Sequence, residues 1–246
     1  YSLFENSNRQ ATIENEKNNE VRLYNCVAIV PCRAGSKGLP NKNFLMLGSK
    51  KLFQITLDQA LRCVGEVIIS SDKNLDEELK SYKVKQHQRS PELSADQSTM
   101  AELMLELIRK YELQNTTIVL LQPTSPLRRD EDISKCIETY KKKNFDLLFT
   151  VSSQDRAVLK SGFVQGNKFI PLEDPDFIFM NRQDLPELFR PNGAVYVFNG
   201  GWFEKNGGFT STNTGVVEMP GENSLDIDSQ EDFDRIAQIY KEFSKN

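Results

Sequence analysis

The sequence predicts an α/β fold, a doubly wound and mostly parallel sheet covered by helices on both faces, with a small β-rich excursion late in the chain. Short apolar runs at 26–30, 67–69, 118–121 and 146–151 alternate with stretches of helical apolar period. That is the pattern of strands buried on both faces and joined by crossover helices. Polar loops at 33–43, 70–73 and 122–128 each follow one of these runs, and in such sheets ligands bind outside the carboxyl ends of the strands. One crevice is expected to collect all three loops.

The elements follow in order. Residues 1–24 are polar, rich in Asn and Glu and without a steady apolar period; they read as an extension ahead of a domain over 25–246, and no function is assigned to them. After the first strand comes a loop with Gly35, Ser36, Lys37, Gly38, Asn41, Lys42 and Asn43. Glycine turns free backbone N–H groups to cradle phosphate oxygens, and Arg33, Lys37 and Lys42 add positive charge. The loop fits neither the G-x-x-x-x-G-K-[ST] pattern nor G-x-G-x-x-G. Phe53, Ile55, Leu57, Ala60 and Leu61 then predict a helix over 53–63, and Met100, Leu103, Met104, Leu107 and Ile108 share a face of a second over 98–113. A further helix begins at Asp130. Residues 163–170 read as a hairpin turning at 165–168, inside an excursion of strands over 154–192, and 190–198 returns to strand character. Apolar hairpins that cannot cover themselves often pair across a two-fold, so a homodimer is expected. Ser229 and Asp232 form a capping pair ahead of a closing helix carrying Phe233, Ile236, Ala237 and Tyr240.

Composition removes several classes of function. The chain has 246 residues, 38% of them hydrophobic, and a net charge of −4. An acidic balance disfavours nucleic acid as a partner. No window approaches the roughly 18 apolar residues of a membrane span, so no membrane partner is expected and the cytoplasm is the expected location. Four scattered cysteines without a C-x-x-C pair and a single histidine, His87, disfavour a zinc site or a Cys-His couple. Charge stabilisation, positioning and a hard metal ion remain. Asp226 and Asp228 supply the second chemical motif: at a strand end, side chains of period two would place both carboxylates on one side, able to hold Mg²⁺ together with substrate phosphate oxygens.

Taken in order, 31–43, Leu121-Gln122-Pro123-Thr124-Ser125-Pro126-Leu127-Arg128, Arg190-Pro191-Asn192-Gly193-Ala194-Val195-Tyr196 and Asp226-Ile227-Asp228 resemble the CMP-sialic acid synthetases, the acylneuraminate cytidylyltransferases, over about residues 26–240. The resemblance implies a Rossmann-like fold of nucleotidyltransferase type. It also implies a reaction in which CTP and a nonulosonic 2-keto acid sugar give CMP-sugar and pyrophosphate. By motif position it implies that Arg33, Ser36, Lys37 and Lys42 hold the triphosphate and that Asn43 and the backbone at Pro31 and Cys32 contact the nucleoside, with Arg89 and the region of Ser98 near the cytosine. Gln122, Thr124, Arg182, Asn192 and Tyr196 would face the sugar, and Asp226 and Asp228 would carry Mg²⁺. Catalysis would rest on Arg33, Lys37, Lys42, Asp226 and Asp228. The family is dimeric, its excursion reaching the partner's site. Cys32 stands where the family usually has Ala. The related Kdo cytidylyltransferases resemble the chain less, since they carry an acid in the loop occupied here by Gln122-Pro123-Thr124. A non-catalytic nucleotide-sugar binding module is the alternative of another class.

Overall fold

In the computed structural model, which describes residues 24–35 and 38–243, the chain opens with strand β1 (Tyr24–Cys32). The polar extension, apart from Tyr24, and the two phosphate-loop residues Ser36 and Lys37 lie outside the described residues. A 3₁₀ turn (Lys42–Phe44) and a small ribbon, β2 (Met46–Leu47) and β3 (Lys50–Lys51), lead into helix α1 (Leu52–Cys63). Then come β4 (Val64–Ser71), α2 (Asp76–Leu79), β5 (Lys85–Gln88), α3 (Pro91–Ser94) and α4 (Met100–Lys110). The chain continues through β6 (Thr117–Leu121), α5 (Asp130–Lys143) and β7 (Leu147–Gln154) to a hairpin, β8 (Gly162–Gln165) and β9 (Lys168–Pro171). It closes with β10 (Leu188–Asn199), α6 (Gly200–Asn206), β11 (Thr214–Glu218) and α7 (Gln230–Phe243).

Seven strands form the main sheet in the order β11-β7-β10-β6-β1-β4-β5. β10 runs antiparallel to both its neighbours, and the other pairings are parallel. Alternation along β1 divides the core into two layers. Ala28 and Val30 face Phe53 and Leu57 of α1 and Ile133 and Ile137 of α5. Val27 and Ile29 face Leu103, Met104 and Leu107 of α4 and Phe203 of α6. The doubly wound expectation holds, with helices on both faces. Among the described residues no helix is long and apolar enough to cross a membrane.

α4 starts where the sequence marks it. Thr99 Oγ1 accepts from Glu102 N at 3.2 Å, and Glu102 Oε2 accepts from Thr99 N at 2.7 Å, a reciprocal capping box that satisfies two donors at the helix start. Ser229 and Asp232 do the same ahead of α7. A third, smaller core joins Leu47, Leu52, Ile55, Leu127, Ile227 and Ile236.

That third core explains one departure from expectation. Asp226 and Asp228 lie outside any strand. Ile227 between them is fully buried, and its N–H donates to Thr124 O at 3.0 Å. Tertiary anchoring of one isoleucine, rather than strand pleat, sets where the two carboxylates leave the chain. The excursion is less strand-like than expected: 155–187 holds the β8–β9 hairpin and three 3₁₀ turns. It leaves apolar side chains in the open, with Phe179 91%, Val164 71% and Phe163 63% exposed.

Candidate active site

The carboxyl ends of β6, β1 and β5 open onto one cleft of about 370 Å³. Its wall carries Pro31, Arg33, Gly38, Lys42 and Asn43 from the first loop, Arg89 after β5, Ser98, Thr99, Met100 and Leu103 at the start of α4, and Gln122, Pro123 and Thr124 after β6. Of the three loops singled out in the sequence, 33–43 and 122–128 meet at this cleft, whereas 70–73 does not line it and supports it from behind through Asp72. The strand order also gives the cleft an axis, from Gln122 and Thr124 at β6 to Arg89 beyond β4.

The first loop is pinned by its own polar groups. Ala34 N donates to Asp72 Oδ1 at 2.8 Å, and Asn43 Nδ2 donates to Arg33 O at 2.9 Å. Arg33 reaches across the cleft mouth, donating from Nη1 to Ala95 O at 3.1 Å and pairing through Nη2 with Asp96 at 3.3 Å. Lys42 Nζ donates to Ile227 O at 2.9 Å and to Asp228 Oδ1 at 2.8 Å. At Gly38 a Cβ would lie 2.6 Å from Asp228 O, so the phosphate-type loop rests directly on the acidic loop and only glycine fits between them.

The acidic pair differs in environment. Asp226 is half-buried and accepts from Ser125 Oγ at 3.3 Å. Burial raises its carboxyl above the usual aspartate range; Asp228 pushes in the same direction, while Lys42 and Ser125 oppose it. Asp228 is exposed. Two carboxylates beside a phosphate-type loop suit Mg²⁺, which uses one or two carboxylates plus substrate phosphates and waters. Among the described residues no cluster of three His, Cys, Asp or Glu groups forms an all-protein metal cage.

The side chains of several predicted residues do not line this cleft. The Cys32 side chain is fully buried in the α1 layer of the core, and burial raises its thiol well above the ordinary value. Asn192 turns inward: its Oδ1 accepts from Thr150 Oγ1 at 2.6 Å and from Ala194 N at 3.1 Å, within the irregularity of β10. Its neighbour Gly193, at φ +78°, leaves room for Gln122, whose Nε2 would sit 3.6 Å from a Cβ there. Tyr196 packs between Phe149 and Phe209. Arg182 lies in the excursion and pairs with Asp155 at 3.2 Å. Sequence reasoning assigned no role to Asp72 or Asp96, and at the α4 start it named only Ser98. The Thr99-x-x-Glu102 capping signature was the available signal, because it places a helix N-terminus at the cleft.

The family profile described as Cytidylyltransferase matches residues 27–242. The chain belongs to the cytidylyltransferases. It is 31% identical to the N-acylneuraminate cytidylyltransferase of Streptococcus agalactiae over 220 residues, 84% of this chain and 51% of that protein. It is 30% identical to the CMP-N,N'-diacetyllegionaminic acid synthase of Legionella pneumophila, over 84% of this chain and 92% of that one. The pseudaminic acid cytidylyltransferase of Campylobacter jejuni is 24% identical over 87% and 96% of the two chains. The chain spans about half the length of the N-acylneuraminate cytidylyltransferases it matches. In fold, this cytidylyltransferase superposes on a CMP:2-keto-3-deoxy-manno-octonic acid synthetase complexed with CTP, at a TM-score of 0.67 and 16% identity, covering 89% and 100% of the two chains. A 4-diphosphocytidyl-2C-methyl-D-erythritol synthase follows at a TM-score of 0.60 and 11% identity, covering 87% and 97%.

Proposed function

We propose that the cleft joins CTP to a nonulosonic, sialic-acid-like 2-keto acid sugar, giving CMP-sugar and pyrophosphate. The observation that carries this is the convergence of Arg33, Lys42, Asn43, Arg89 and Ser98 with Gln122 and Thr124 on one wall, with the acidic loop joined to it through Lys42 and Ile227. The sugar's anomeric oxygen forms a bond to the α-phosphorus, the bond from that phosphorus to the bridging oxygen breaks, and the hydroxyl proton leaves with solvent. Arg33 and Lys42 supply charge-assisted hydrogen bonds to the triphosphate as charge builds on its oxygens. Lys37, in the same loop, is proposed to act with them and Ser36 to donate to a phosphate oxygen. Pro31 and Cys32 contribute backbone contacts to the nucleoside. Asp226 and Asp228 would hold Mg²⁺, which neutralises phosphate charge and lowers the pKa of a bound hydroxyl. Gln122 and Thr124 orient the sugar at the β6 end.

The same reading makes the enzyme a homodimer of the cytoplasm. The exposed apolar side chains of Phe163, Val164 and Phe179 support pairing of two excursions, and Arg182, which does not line its own cleft, would then serve the partner's sugar site. Substituting Phe179→Asp is expected to shift the particle mass from dimer to monomer in light scattering; an unchanged dimer contradicts the assignment. For the reaction, pyrophosphate release is compared with CTP, Mg²⁺ and N-acetylneuraminate, legionaminate, pseudaminate or Kdo. Strong release with one of the three nonulosonates is expected. Release with Kdo alone places the acceptor in the eight-carbon class, and CTP binding without release from any acceptor supports a binding module.

A further inference from the structure

Behind Arg89 lies a buried polar chain that the reaction chemistry does not use. Arg89, 8% exposed, donates from Nε to Ser70 Oγ at 3.0 Å. Ser70 Oγ lies 2.9 Å from His87 Nδ1, and His87 Nε2 lies 2.8 Å from Glu106 Oε1. Ser70, next to last in β4, lies beside His87 on β5, the two paired in register, and Glu106 comes from α4. The donors and acceptors leave one consistent arrangement. The Glu106 carboxylate accepts, so His87 carries its proton on Nε2; Nδ1 then accepts from the Ser70 hydroxyl, which frees the Ser70 oxygen to accept from Arg89. Arg89 lines the cleft, and its Nη2 is buried with no hydrogen-bond partner among the described residues. A buried donor left unmatched is costly, and here it sits at the end of the cleft remote from the acidic loop.

We propose that Glu106, His87 and Ser70 form a positioning chain that holds the Arg89 guanidinium in place to read the acceptor edge of the pyrimidine base. The proposal rests on the nucleotide reading of the cleft. His87 touches no substrate and acts through Arg89. A second proton on His87 would turn the Ser70 hydroxyl away from Nδ1 and set two cations side by side. The surrounding groups agree with a neutral ring. Burial lowers the His87 pKa below the ordinary value, Lys110 and Arg89 lower it further, Glu106 opposes them, and the Tyr111 ring packs edge-on against the imidazole. The same burial lowers the Arg89 guanidinium to about 10, so it stays charged at neutral pH.

The test uses the fact that the chain has one histidine. ¹⁵N-detected imidazole spectra of the tag-free enzyme are expected to show the Nε2–H tautomer at neutral pH, with its signals moved by CTP. His87→Leu is expected to raise the KM for CTP about tenfold, the effect of one misplaced charge-assisted hydrogen bond, while leaving kcat within about twofold. His87→Asn, which keeps an acceptor beside Ser70, is expected to recover most of the KM. Ser70→Ala should match His87→Leu, and the double variant should add little to either, as members of one network do; it also carries the test should His87→Leu not fold. A wild-type KM in folded His87→Leu or Ser70→Ala, a loss confined to kcat, or an Nδ1–H imidazole in an enzyme that binds CTP overturns the proposal alone. Failure of the wild-type enzyme to bind CTP at all overturns the nucleotide reading beneath it.

Discussion

At the β5 end of the cleft Arg89 is buried and tied through Ser70 and His87 to α4, whereas at the β6 end Asp228 is 79% exposed and is held by Lys42 from a neighbouring loop. The two ends differ in what a ligand can change. A largely buried, interlinked polar network resists rearrangement because breaking its inner bonds leaves desolvated groups. An exposed ion pair contributes little and exchanges partners readily. On the proposed reading the Arg89 end is therefore a template set by the fold, and the acidic end would trade Lys42 for a phosphate and a metal ion.

Removing the acids breaks this comparison most strongly. Asp226→Ala and Asp228→Ala are each expected to lower pyrophosphate release by about a thousandfold, in the range of lost electrostatic stabilisation. The melting temperature of Asp228→Ala should stay near wild type, since its side chain is solvated. Unchanged turnover in either variant would move the chemistry away from this loop. Gly38→Ala comes next. Its Cβ would meet Asp228 O, and separating the two loops is expected to lower kcat/KM about tenfold while leaving base discrimination intact, measured as the ratio for CTP and UTP.

The template end sharpens the contrast through pH. Because the fold lowers the His87 pKa, the unfolded chain binds the proton first. The stability gained from a neutral His87 is complete above the unfolded value of about 6.5 and is lost as pH falls below it. Thermal melts from pH 7.5 to 5.5 are expected to drop by a few degrees more in wild type than in His87→Asn, on the scale of ~1 kcal/mol. An equal drop in both would place the acid sensitivity elsewhere. The smallest effect is expected from Cys32→Ala, with KM for CTP within about twofold of wild type, because that side chain faces the core and not the base.

These differences also show what could be read before the fold was seen. The alternation of strands and helices was legible because it is a local period, and the loops at the strand ends followed from it. Asp226 and Asp228 were legible as a pair but not in their setting, since Ile227 is placed by Leu127 and Ile236, residues distant in sequence. The roles of Asn192 and Tyr196 depend on side-chain direction around the irregularity between Pro191 and Tyr196, which no periodicity encodes. His87 stands in a polar run that gave no sign of burial; its place follows from β5 pairing beside β4 and from α4 packing over both.

The central claim is that this cleft cuts CTP between its α- and β-phosphates and hands the cytidylyl group to an acid sugar. ³¹P NMR of CTP, Mg²⁺ and a nonulosonate with catalytic enzyme reads that bond directly. The account predicts that the CTP signals are replaced in equal amounts by a phosphodiester signal of CMP-sugar and by pyrophosphate. Orthophosphate and CDP, or CTP left intact with every acid sugar, would contradict it.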